Sequence, residues 1–128
     1  MRVHHLALGA HDVARVAEFY RTVFELPECA RHQHSDGTLR SIWLSAEDTL
    51  LMIELVAHTD ATEARSPRPG LFLIAFEVSV AQRNAFERRL EAVGARIERR
   101  TEFTSYTRDP EGNSVAISHF PERQEGKR

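Results

Sequence analysis

Residues 3–10 read Val-His-His-Leu-Ala-Leu-Gly-Ala, and residues 71–78 read Leu-Phe-Leu-Ile-Ala-Phe-Glu-Val. Leu6-Ala7-Leu8 of the first stretch lies 68 positions before Ile74-Ala75-Phe76 of the second. Each run is apolar and β-compatible, and each gives way to a stretch with helical spacing. A strand followed by a helix, occurring twice, signals an internal duplication.

After residues 3–10, Asp12 is a good N-cap, and Val16, Phe19, Tyr20 and Val23 recur at the three- and four-residue intervals of one helical stripe. Pro27 closes the helix. Three strands follow, at about 28–34, 39–46 and 49–57, separated by Ser35-Asp36-Gly37 and Glu47-Asp48. After residues 71–78 the pattern repeats. Ser79-Val80-Ala81-Gln82 has the form of a capping box, and Phe86, Leu90 and Val93 carry the stripe until Gly94. Strands are then expected at 96–102, 105–108 and 113–120, the last two joined by the turn residues Asp109-Pro110-Glu111-Gly112. Residues 58–70, with Pro67 and Pro69, read as a crossing loop, and 121–128 as a charged tail.

The expectation is an α+β fold of two βαβββ modules, about 1–57 and 71–120, within a single domain spanning 1–120. A helix covers one face of each sheet, and the uncovered faces form a half-open, cupped mixed sheet.

Composition narrows the partners. The chain is 41% hydrophobic and 28% charged, and its 17 Lys and Arg against 19 Asp and Glu give a formal charge of -2. That balance provides no field to hold a polyanion, so nucleic acid is not expected. The one cysteine, Cys29, forms no intrachain disulfide, which fits a reducing, cytoplasmic setting. No apolar run approaches the roughly 18 residues of a membrane span, and the N-terminus lacks the pattern of a secretory signal. Membrane insertion is not expected. The nucleophile-elbow, phosphate-loop and dinucleotide motifs are all missing.

Strand alternation selects the candidate site. His5 shares a face with Val3 and Ala7, and Glu54 shares one with Leu50, Met52 and Val56. An acid among Met52, Ile53, Leu55 and Val56 is costly if buried alone, and a histidine from another strand would relieve that by pairing with it or by sharing a metal. Trp43, Tyr106 and Arg108 are candidates for a substrate pocket, by shape, stacking and hydrogen bonding. Arg40 is a further candidate for a carboxylate or phosphate. His32 and His34 alternate along an edge strand and read as solvated.

Three segments carry a resemblance. His4-His5-Leu6-Ala7-Leu8 to Asp12, with Phe19-Tyr20 and Val23-Phe24-Glu25-Leu26, is similar to the opening strand and helix of the vicinal oxygen chelate superfamily, the glyoxalase, bleomycin-resistance and extradiol-dioxygenase group. Leu51-Met52-Ile53-Glu54-Leu55 resembles its fourth strand, and Asp109-Pro110-Glu111-Gly112-Asn113 its closing hairpin. The resemblance implies a homodimer, and in the metal-dependent members one ligand from each of the first, fourth, fifth and eighth strands. His5 and Glu54 match two of these positions. The other two fall on Leu73 and Ala116, which cannot bind a metal.

What the resemblance implies for function is a protein that binds a small organic molecule in a cleft lined by both modules, beside an incomplete metal site. The alternative it implies is a metal-dependent lyase, isomerase or dioxygenase. There His5 and Glu54 would hold a divalent Zn, Ni, Mn or Fe ion for a substrate chelating through vicinal oxygens, with Glu54 also moving a proton as the catalytic group. Turnover is left open between the two.

Overall fold

The computed structural model describes residues 2–56 and 71–124. The chain divides into two compact units, 1–68 and 69–128. In the first, β1 (His5–Ala10) leads into α1 (Val13–Phe24), followed by β2 (Glu28–Gln33), β3 (Leu39–Ala46) and β4 (Thr49–Leu55). The sheet order is β1-β4-β3-β2, with β1 parallel to β4 and the remaining pairs antiparallel.

Helix α1 forms where the stripe predicts. Its Asp12 side chain accepts from the Arg15 backbone N–H at 3.1 Å, occupying one of the donors that a helix start leaves free. The helix ends at Phe24, because Glu25 turns into the left-handed region at φ 55°, two residues before Pro27. Val16, Ala17, Tyr20 and Val23 are fully buried on the stripe. They pack against β3 and β4, whose helix-side residues Ile42, Leu44, Leu51 and Ile53 are buried with them. Period-two alternation thus places the core on one side of the sheet and leaves His5, Ala7, Gly9, Met52, Glu54, Ser41 and Trp43 on the other.

The second unit repeats the scheme with β5 (Ile74–Glu77), a short 3₁₀ turn (Val80–Gln82), α2 (Arg83–Ala92), β6 (Arg99–Arg100), β7 (Thr104–Arg108) and β8 (Ser114–Ser118). The order β5-β8-β7-β6 repeats that of the first sheet, again with one parallel pair, β5 with β8. The chain is therefore an α+β protein of two βαβββ modules. The capping box forms as expected: Ser79 Oγ accepts from the Gln82 N–H, and Gln82 Oε1 accepts from the Ser79 N–H.

Several strands are shorter than their patterns suggest. β5 holds four residues, because β8 offers partners only from Val115 to Ser118, and Leu71 and Phe72 precede the pairing and are exposed. β6 keeps two residues of the expected seven, paired to Tyr106 and Ser105 at the sheet edge. The loop expected over 58–70 and the last residues of the tail lie outside the described residues.

The second module's helix side is polar at its centre. The Arg83 guanidinium donates to Ser105 Oγ, to the carbonyls of Thr101, Glu102 and Thr104, and to His119 Nε2. Arginine only donates, so His119 Nε2 accepts and its Nδ1 carries the proton, donating to the Glu122 carbonyl at 2.7 Å. His119 is buried and, as its alternation with Ala116 indicates, lies on the helix side with Val115 and Ile117.

Candidate functional site

The open face of the first sheet is set out by its register. Gly9, Glu54, Ser41 and His32 form one row across the four strands, each standing opposite its neighbour in register. Ala7, Met52, Trp43 and Ala30 form the next, and His5, Leu50 and Ser45 the third. His5 and Glu54 therefore share this face, as alternation predicts. They are four residues apart in register, about 13 Å along the strands at roughly 3.3 Å per residue.

The His5 ring reaches across β4 instead, to within 5.0 Å of the Trp43 ring, and its Nδ1 lies 2.9 Å from His4 Nδ1. One of the two imidazoles must donate to the other. Glu54 is exposed and has neither an ion pair nor a hydrogen bond among the described residues. The expected relief of a buried acid by a histidine is not how this carboxylate is accommodated: it is solvated. It is also the only formal charge on this face among the described residues, because Arg31 and Arg40 have the opposite parity and lie on the helix side.

Two further atoms distinguish the face. Among the described residues, the buried side-chain polar atoms without a hydrogen-bond partner are Ser41 Oγ and Trp43 Nε1. Each such atom costs about 1–3 kcal/mol in a folded protein, and here both stand on alternate residues of β3, pointing the same way. Ser41, 1% exposed, did not emerge from the sequence. The available signal was a serine one alternation from Trp43 in an otherwise apolar strand. Gly9 is the other residue missed. A β-carbon there would sit 2.6 Å from Val56 Cγ2, so any other residue at this position makes the exposed Val56 side chain shift.

The remaining candidates lie in the second module. Tyr106 pairs with Ala116 and Arg99, and the Arg99 guanidinium stacks over its ring at 4.4 Å. Arg108 donates from Nε to Glu98 at 3.0 Å and from Nη1 to the Gly112 carbonyl. Leu73 precedes β5, and Ala116 is fully buried in β8. Neither side chain has a lone pair to offer, and among the described residues no group of three or more His, Cys, Asp or Glu is placed to hold a metal ion. The donor set does not fit a resident ion with four protein ligands.

The sequence matches the model of the glyoxalase-like domain over residues 5–118. The chain belongs to that family. With it comes membership of the vicinal oxygen chelate superfamily. No relative is found among curated proteins. Among solved structures, this glyoxalase-like domain is similar to a glyoxalase/dioxygenase from Nostoc punctiforme, with TM-score 0.76 and 19% identity over 94% of this chain and 92% of that one. The fosfomycin resistance protein FosX from Mesorhizobium loti gives TM-score 0.74 and 16% identity, covering 91% and 90%. A lactoylglutathione lyase from Agrobacterium tumefaciens gives 0.67 and 22%, covering 93% of each chain. These likenesses concern the fold.

Proposed function

We propose that this glyoxalase-like protein binds a small organic molecule on the open face of its first module, with an incomplete metal site, and that it works as a homodimer. The observation that carries the reading is the unpartnered, exposed Glu54 on the same sheet face as the His5–Trp43 ring pair, the face that α1 does not cover. Clefts that take small ligands combine apolar and aromatic walls with a few convergent polar groups, and this face carries Met52 and Trp43 in the row next to Glu54 and Ser41, with His5 in the row beyond. Tyr106 and Arg108 stand on the second module, where both already have partners.

A second reading, a metal-dependent lyase, isomerase or dioxygenase, draws on His5 and Glu54 sharing one face. The same experiment tests both. Thermal melts are run with a panel of small organic molecules and, separately, with Mn²⁺, Ni²⁺ or Zn²⁺, on the wild type and on a variant carrying both His5→Gln and Glu54→Gln. The binder reading expects a stabilising organic ligand, weakened by the double substitution, and little response to metal. A ligand or ion at 100 times its dissociation constant contributes about 2.7 kcal/mol, worth several degrees in a chain of this size. A metal-induced rise of that size, abolished in the double variant, would establish the second reading. Organic binding unchanged in the double variant would remove both residues from the site.

A further inference from the structure

We infer that the polar group this face selects is an uncharged carboxamide, or an analogue such as a lactam or urea. The inference rests on the reading of the open face as a ligand site. The indole N–H of Trp43 can only donate, and the Ser41 hydroxyl, equally unpartnered and on the same face two residues along β3, can donate as well. Both call for an acceptor oxygen. Glu54, directly opposite Ser41 in the antiparallel pair, is a carboxylate that only accepts and calls for an N–H. Side chains so opposed have β-carbons about 4.5–5.5 Å apart, which one planar group with an oxygen on one side and an N–H on the other can bridge.

Charged ligands satisfy only half of this arrangement. A carboxylate or phosphonate would accept from Ser41 and Trp43 but would lie against Glu54, and no lysine or arginine stands on this face among the described residues. An ammonium or amidinium would suit Glu54 and leave the two donors unmet. The amide satisfies both sides without charge. The rest of such a molecule meets Met52 and the His5–Trp43 ring pair, whose centroids are 5.0 Å apart. Ser41 lies between Glu54 and His32 in its row, and both of these neighbours are exposed.

Trp43 is the only tryptophan, so a ¹H–¹⁵N correlation spectrum of the full chain has one indole cross-peak, and it belongs to this site. Benzamide, benzoate and acetophenone are titrated at matched ionic strength. Benzamide is expected to move the indole resonance downfield and to saturate, with benzoate and acetophenone binding markedly more weakly. Glu54→Gln, at an exposed position, should weaken benzamide roughly tenfold, the size of one hydrogen bond to a charged group, and should let benzoate gain. Ser41→Ala should weaken benzamide and acetophenone alike. Benzoate saturating the wild-type signal at least as tightly would leave the face a ligand site and overturn the carboxamide. An indole resonance unmoved by benzamide, or benzamide binding unchanged in Glu54→Gln, would overturn it as well, whatever the melting panel finds for other molecules.

Discussion

Glu47 opens the two-residue turn between β3 and β4 with φ 53°, a backbone region where L side chains are strained and glycine is not. Two-residue hairpins with positive φ at the first central residue favour glycine there. Glu47→Gly should therefore stabilise the protein. Relief of about 1 kcal/mol is partly offset by the greater freedom of glycine in the unfolded chain, leaving a net gain of about 0.5 kcal/mol. Urea melts with an unchanged slope would show it, and a loss of stability would rule it out. At Gly9 the sign reverses. The 2.6 Å approach of Val56 Cγ2 means that Gly9→Ala must turn that exposed side chain, and a cost of about 0.5–1.5 kcal/mol, the size of an off-rotamer side chain, is expected. Both effects are local, so the double variant should show the sum. Neither position is legible from composition or period: a glycine that a neighbour crowds looks, in sequence, like one that merely permits a turn.

Among the elements, β2 depends most on charge. Arg21 of α1 bridges Glu18 and Glu28, and Arg31 grips Glu28 from within β2 at 2.8 Å. The hydrogen bond from Arg31 holds the Glu28 carboxyl below its ordinary range. A carboxyl depressed by folding stabilises the native state at pH above its unfolded value, and that contribution is lost as pH falls through the folded value. Glu28→Gln should lower the melting temperature slightly at neutral pH, by the small amount typical of exposed pairs, and the two proteins should converge in acid. A gap that widened in acid would contradict this. In the second module the corresponding anchor is half-buried. Replacing Arg83 by Met leaves the part-buried Thr104 carbonyl, Ser105 Oγ and His119 Nε2 without their donor, while water can reach the Thr101 and Glu102 carbonyls, so a loss of about 1–3 kcal/mol is expected from urea melts. Element order was readable because apolar spacing changes from two to three or four at each junction. Strand length was not, since it depends on how many partners a neighbour offers: β5 and β6 stop where β8 and β7 leave them unpaired. His5 and Glu54 were placed on one face by parity alone, and parity cannot give the four-residue offset in register that separates them.

At the scale of the whole molecule, the sequence shows the duplication plainly, and both sheets repeat one strand order. What parity could not reveal is how much apolar surface would remain uncovered. Leu71 and Phe72, at the entrance to β5, are 63% and 76% exposed, and Val3, ahead of β1, is 56% exposed. Among the described residues, strands β1 and β5 are each the edge of their sheet, with a neighbouring strand on one side only. Exposed edges beside large apolar side chains favour association unless charge or a covering segment blunts them. The homodimer proposed above follows from that, with a mass by light scattering of twice the 14.6 kDa chain at tens of micromolar. Phe72→Glu places a charge among the exposed apolar residues without touching a buried one, so it should shift the mass toward the monomer while leaving the circular dichroism of both modules intact. A wild-type monomer at those concentrations would defeat the proposal. A dimer indifferent to Phe72→Glu would move the interface away from β5, and Val3→Glu would then test the β1 edge in the same way.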